Sequence, residues 1–208
     1  ATRLSKANRQ LLRFADGLAT SFPQVAGADG FDPGRIVETG NPVRQSILEA
    51  RGDYPAFGDG LPLRLLVVGG SQGAAVFGRV VPPALLALPA DIRQRLQVSL
   101  QYKGDDADAV ATQLRDAGID ARVQPFFDDM GQRLRDAHLV VTRAGATTAA
   151  DLLTIGRPAI FVPLPHGGAR EEQKRNAETL AQAGVGWHVP EADLTTDTLA
   201  ALLQQAFT

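Results

Sequence analysis

The chain has 208 residues, of which 44% are hydrophobic and 21% charged, enough to bury one large core or two small ones and too apolar for a disordered chain. Lys and Arg number 21 against 23 Asp and Glu, a net charge of −2, so no basic excess exists to coat a nucleic-acid backbone and no nucleic-acid partner is expected. Cys is absent, which excludes disulfides, thiolate metal sites and a Cys nucleophile, and no apolar run reaches the ~20 residues of a membrane-spanning helix.

Residues 3–15 predict a helix with Leu4, Ala7, Leu11, Leu12 and Phe14 near one side. The polar start carries no secretory signal, and the chain opens without Met, so a trimmed or truncated start is expected. Ala19 to Phe22 suits a short strand, 23–34 a loop, and Arg35 to Thr39 another strand. Gly40-Asn41-Pro42-Val43-Arg44 predicts a turn with Pro42 at a helix N-terminus, and a domain boundary is placed near residue 40. Residues 51–62 are Gly/Pro-rich and lack periodicity.

From residue 63 the rhythm changes. The apolar run Leu63 to Val68, broken only by Arg64, suits a strand covered on both faces, and a helix follows to about Leu88. Five further pairs are expected: Leu96 to Tyr102 with 106–117, Ala121 to Pro125 with 129–136, His138 to Thr142 with 146–155, Ala159 to Val162 with 171–183, and Gly186 to Val189 with 195–207. Such alternation predicts an α/β fold, a parallel sheet with helices on both faces. The last helix runs to the end of the chain with no closing signal.

Two turns stand out chemically. Gly69-Gly70-Ser71-Gln72-Gly73-Ala74 follows the strand at 63–68, where glycines let backbone N–H groups and a helix N-terminus approach a phosphate. It lacks the Gly-Lys-Ser/Thr of a P-loop and the full Gly-x-Gly-x-x-Gly dinucleotide pattern. Arg143-Ala144-Gly145-Ala146-Thr147-Thr148 repeats the geometry after 138–142, and both turns would face one crevice. Asp151, one helical turn beyond Thr147, could reach a ribose diol or could be an ordinary acid favoured by the helix dipole. Glu172, Gln173 and Asn176, on adjacent turns of the next helix, suit sugar hydroxyls or a solvated charged face. Phe126 and Phe127 could be core, or their backbone could meet a nucleobase edge. The three histidines show no metal-ligand spacing; His138 and His188 read as structural, and His166 lies in a loop.

Taken together, these motifs resemble the MurG family of glycosyltransferases, which make lipid II in bacterial peptidoglycan synthesis. The resemblance is carried by Gly40-Asn41-Pro42-Val43-Arg44, Gly69-Gly70-Ser71-Gln72-Gly73-Ala74, Phe127-Asp128-Asp129-Met130, Arg143-Ala144-Gly145-Ala146, Gly156 through Pro163, His166, and Gln173 with Asn176-Ala177. Their order spans residues 40–186, and residues 3–22 resemble the segment that closes the family's N-terminal domain.

The resemblance implies one Rossmann-like half of a two-domain GT-B enzyme: a remnant of the acceptor domain over 1–40 and a donor-binding domain over 41–208. It implies UDP-N-acetylglucosamine as donor and lipid I as acceptor, inverting transfer, no cofactor or metal, and peripheral attachment at the cytoplasmic face of the inner membrane through the other half. By matching positions, Arg44 and Ser71 meet the diphosphate region, Gln72 is a further substrate-binding position, and Phe127 meets uracil through its backbone. Ala146, Thr147 and Thr148 cap the phosphates, and Asp151 holds ribose. Glu172, Gln173 and Asn176 line the sugar pocket, with His166 among the binding positions. No catalytic residue is assigned, because the family's N-terminal Gly-rich turn, His and candidate base have no counterpart here, and the chain alone is expected to be inactive. Asp151 stands where the family usually has Glu, and Leu100-Gln101 where it often has His-Gln. The loop 167–170 is looser, and the family's final return helix is not matched. Two other readings share the fold: a sugar-nucleotide-binding subunit acting with a separate acceptor subunit, and another GT-B enzyme such as an epimerase or glycolipid transferase.

Overall fold

The computed structural model describes residues 3–21, 25–70, 74–166 and 170–208. Its centre is a six-stranded, all-parallel sheet: β3 (Leu63–Val68), β4 (Leu96–Gln101), β5 (Asp120–Gln124), β6 (Leu139–Thr142), β7 (Ala159–Phe161) and β8 (Gly186–His188). The strand order is β5-β4-β3-β6-β7-β8, so the first strand of the sheet lies at its middle and the order reverses beside it, between β3 and β6.

Alternation along the strands feeds two cores. Leu63, Leu65 and Val67 of β3 point to one face, where they meet α3 (Ala75–Leu86), α4 (Ala90–Arg93), α5 (Ala107–Asp116) and α9 (Thr196–Phe207). Leu66 and Val68 point to the other, where they meet α2 (Gln45–Glu49), α6 (Met130–Asp136), α7 (Ala146–Ile155) and α8 (Arg170–Gln182). A strand buried on both faces must be apolar at nearly every position, which is why 63–68 is apolar but for the half-buried Arg64. Coverage thins at one edge: in β5, Asp120, Arg122 and Gln124 are not buried, and its second face lines a polar groove with Gln97, Ser99 and Arg133.

Residues 51–62 have no regular structure yet are pinned from below the sheet. Arg157, 2% exposed, donates to the carbonyls of Asp53, Arg135, Ile155 and Gly156 at 3.0, 2.6, 2.9 and 3.1 Å. Tyr54 donates to the His138 carbonyl at 2.8 Å. The His138 ring accepts from the Arg64 N–H at 2.9 Å through Nδ1, and its Nε2, 3.0 Å from the Ala56 carbonyl, is therefore the protonated nitrogen. His138 is thus structural, one residue ahead of its strand.

The amino-terminal segment departs from expectation. The predicted helix over 3–15 shrinks to α1 (Lys6–Leu11), capped by Ser5, and a single 3-10 turn at Leu12–Phe14. Its apolar side meets no core: α1 buries no residue, and Leu11 and Phe14 are 59% and 72% exposed. Upstream, the backbone of Arg3 bridges to Ala26, which keeps that end extended. β1 (Leu18–Thr20) and β2 (Ile36–Glu38) pair in parallel, each shorter than predicted; Phe22 lies outside the described residues. Pro42 does not begin a helix. The chain stays extended through Arg44, which is the N-cap of α2.

Candidate functional site

The carboxyl ends of β3 and β6 lie side by side, with Val68 opposite Thr142. Each strand is followed within a few residues by a helix, so both helix N-termini lie at the point where strand order reverses, the place where open α/β sheets form a crevice. After β3, Gly70 takes a left-handed conformation, φ +78°, that L side chains resist. Ser71, Gln72 and Gly73 lie outside the described residues. The helix α3 that follows has Ala74 at its N-cap and no side-chain cap. After β6, α7 likewise has Gly145 at its N-cap and no side-chain cap. The first N–H groups of a helix have no partner within it, so those of Ala146, Thr147 and Thr148 carry the positive end of the helix dipole. Thr147 is exposed; Ala146 and Thr148 are half-buried.

The β6–α7 turn is held from three sides. Arg143 is buried and donates to the carbonyls of Val162 and Pro163 at 3.1 and 3.2 Å, tying the turn to the end of β7. Its guanidinium pairs with Glu191 at 2.6 Å and lies over the Phe77 ring at 5.3 Å. Asn176, 5% exposed, donates from Nδ2 to the Ala144 carbonyl at 3.0 Å. From the other direction Asn41 donates to the Ala146 carbonyl at 3.2 Å and accepts from the Ser21 hydroxyl. The sequence places Arg143 and Asn41 within motifs and gives neither a role of its own. The signal available in sequence was an Arg set between a buried strand and an Ala-Gly turn, which must find buried acceptors.

Asp151 sits on the second turn of α7 with its side chain 7% exposed. Its Oδ2 accepts from Arg44 Nη2 at 2.9 Å, across 107 residues of sequence, while Oδ1 is buried and meets no donor among the described residues. The predicted ribose and diphosphate contacts therefore touch each other. Asp151 is a second-turn acid whose carboxylate is buried and paired with Arg44.

The start of α8 borders the same region. Glu172 is exposed and, with Arg175, Asn41, Ala146 and residues of α1, lines a cleft of about 560 Å³. Gln173 accepts from the Leu164 N–H at 3.1 Å, so its carbonyl end supports the β7–α8 loop. Asn176 is one turn deeper, and its donor end is committed to Ala144. The helix is more than a solvated charged face, since two of its three predicted sugar-binding side chains hold backbone of the neighbouring loops. His166 is exposed at the end of the described part of that loop.

Phe127 is 2% exposed and its ring lies under the Arg133 guanidinium at 4.0 Å, so the phenyl group is core. Phe126, by contrast, is 64% exposed. Among the described residues no three His, Cys, Asp or Glu side chains gather as a metal site.

Residues 64–208 match the model of the Glycosyltransferase family 28 C-terminal domain. The chain is similar to a Rhodospirillum centenum protein named UDP-N-acetylglucosamine--N-acetylmuramyl-(pentapeptide) pyrophosphoryl-undecaprenol N-acetylglucosamine transferase. The two are 43% identical over 206 residues, which cover 99% of this chain and 54% of the relative. A Methylorubrum populi protein of the same name is 44% identical over 206 residues, 98% of this chain and 55% of the relative. The crystal structure of Acinetobacter baumannii MurG matches with a TM-score of 0.73 at 30% identity, covering 98% of this chain and 55% of that one. The chain thus spans about half the length of the curated relatives it matches.

Proposed function

On the premise that the chain belongs to glycosyltransferase family 28, whose C-terminal domain its residues 64–208 match, we propose that it binds UDP-N-acetylglucosamine as the donor half of an inverting N-acetylglucosaminyltransferase. The observation that carries this reading is the pair of uncapped helix N-termini, α3 and α7, at the adjacent carboxyl ends of β3 and β6. A diphosphate between them meets two positive dipole ends and free N–H groups.

The residue roles follow from position. Ala146, Thr147 and Thr148 offer backbone N–H groups to the diphosphate, joined by Ser71 and Gln72 of the other turn. Arg44 supplies the cation and Asp151 the acceptor for the ribose diol. The backbone beside Phe127 borders the uracil. Glu172 and Gln173 face the sugar, with His166 in the preceding loop, and Asn176 stands behind them, holding the β6–α7 turn. Breaking the bond from the anomeric carbon to the diphosphate leaves negative charge on UDP. Fixed N–H groups already aimed at that oxygen stabilise the charge as it develops. The dipoles and Arg44 do this without calling on a metal.

The full reaction is the transfer of N-acetylglucosamine to the muramoyl 4-hydroxyl of lipid I, forming lipid II for peptidoglycan. The segment 1–40 belongs with an acceptor-binding domain and 41–208 with the donor domain. The assembled enzyme attaches peripherally at the cytoplasmic face of the inner membrane. No helix among the described residues is long and apolar enough to cross a membrane. The relatives are about twice as long as this chain, so the 208 residues by themselves are expected to bind donor without turning over a lipid I analogue.

Calorimetric titration of the folded chain with UDP and UDP-N-acetylglucosamine, in buffer free of divalent metal, tests the reading. Saturable binding of both is expected; no binding of UDP at millimolar concentration removes it.

A further inference from the structure

We propose that the Arg44–Asp151 ion pair is a latch that couples the two ends of the nucleotide, so that the diphosphate opens the ribose site and the ribose releases the diphosphate cation. The proposal rests on the donor-site reading above and goes beyond it: it concerns how the two contacts depend on each other.

The pair is lopsided. Asp151 is buried, whereas the Arg44 side chain is 58% exposed. Asp151 has one oxygen on Arg44 and the other buried without a donor among the described residues, so a carboxylate with two acceptor atoms is only half satisfied. A vicinal diol carries two O–H donors and engages a carboxylate best through both oxygens. Arg44 competes with the diol for Oδ2, the oxygen that the guanidinium holds.

Arg44 has a second place to go. Asp151 lies five residues beyond the first residue of α7, about 7–8 Å along the axis, within the sweep of an Arg side chain anchored beside it. A diphosphate at that N-terminus carries more charge than one carboxylate and accepts bidentate donation from guanidinium. The backbone that carries Arg44 stays in place meanwhile, because Asn41 fixes the segment to the Ala146 carbonyl. A guanidinium drawn toward the larger charge of the diphosphate loosens its hold on Asp151, even with five N–H donors to share. Diphosphate binding therefore exposes Oδ2 to the ribose, and ribose binding frees Arg44 for the diphosphate. Such coupling is reciprocal by thermodynamic necessity.

The first test uses the unaltered chain. Uridine affinity is measured by ligand-observed NMR with and without saturating inorganic pyrophosphate, and a tightening of about fivefold is expected for release of a partly exposed pair. Two variants give opposite signatures. Arg44→Gln should bind uridine about fivefold more tightly, lose its response to pyrophosphate, and bind pyrophosphate more weakly. Asp151→Asn should bind pyrophosphate more tightly and uridine more weakly. Gains of affinity do not arise from damaged folding, so they separate a latch from a strut. If pyrophosphate leaves uridine affinity unchanged or lowers it, or Arg44→Gln weakens uridine, the pair is a fixed support and the latch is wrong. A chain that binds no UDP at all removes the donor-site reading and the latch with it; one that binds UDP without this coupling removes the latch alone.

Discussion

Substituting Asn176 separates a residue that touches sugar from one that holds the phosphate turn. Its Nδ2 donates at 3.0 Å to the Ala144 carbonyl, and both residues are buried, at 5% and 0% exposure. Asn176→Ala removes the donor and leaves a buried carbonyl without it, at a cost of about 2 kcal/mol. Asn176→Asp keeps the size but sets an acceptor-only group against the carbonyl oxygen. At neutral pH it also buries a charge, so the loss rises to about 3 kcal/mol or more and shrinks as the carboxyl is protonated in acid. For a chain of this length each kcal/mol moves the melting point by about 2–4 °C, so Asn176→Ala should melt ~4–8 °C lower. Because Ala144 sits in the turn that presents the α7 N–H groups, affinity for UDP and for UDP-N-acetylglucosamine should fall together. Thermal unfolding followed by circular dichroism, with parallel titrations of the two ligands, reads both effects. A variant that melts like the parent, keeps its UDP affinity and loses only the sugar nucleotide would refute this reasoning and make Asn176 a direct sugar ligand.

Gln173→Ala, placed in the intact two-domain enzyme, should narrow the preference for UDP-N-acetylglucosamine over UDP-N-acetylgalactosamine. UDP affinity should stay near the parent value; an equal loss of UDP affinity would reduce Gln173 to its bond with the Leu164 N–H. Burial holds the His138 pKa below its usual value, and its Nδ1 accepts from the Arg64 N–H, so the fold favours the neutral ring. The stability this adds is complete above the unfolded value of about 6.5 and is lost as pH falls through the lower folded value. Urea midpoints should therefore drop between pH 7.5 and 5.5, and His138→Phe, less stable at pH 7.5, should show a smaller drop; equal slopes would contradict this. Gly186→Ala should fail to give soluble folded protein, since the new Cβ would lie 1.9 Å from the Ala159 carbonyl oxygen, backbone that the β7–β8 pairing holds in place. Recovery of a normally melting variant would show that this strand edge can shift.

Sequence alone determined the strand–helix rhythm from residue 63 onward, because each element there carries its own signal. Leu63 to Val68 is apolar but for Arg64 since both its faces are covered, and the helices at 107–116 and 146–155 carry local apolar periodicity. The Ala/Gly break at 143–145 was legible for the same reason, being short and set between a strand and a helix. Before residue 63 that logic held for the two short strands, found at Leu18–Thr20 and Ile36–Glu38, and failed for the helix. The apolar side of residues 3–15 predicted a long helix, yet amphipathicity needs a core to bury against, and Leu11 and Phe14 meet none.

What only the tertiary structure decided was adjacency. The order β5-β4-β3-β6-β7-β8 sets β6 beside β3, and with it the two turns beside each other. Nothing local to either strand encodes that neighbour, since parallel strands of similar apolar composition can pair in several orders. The same holds for the partners of single polar side chains. Asn176 and Gln173 have the chemistry to bind a sugar, but the fold brings buried backbone groups to them first. Arg44 and Asp151, each assigned a different part of a ligand, lie 107 residues apart and meet at 2.9 Å. A side chain's residue type limits what it can bond. Which partner it finds depends on groups brought together from distant parts of the chain, and their desolvation on burial selects the pairs that persist.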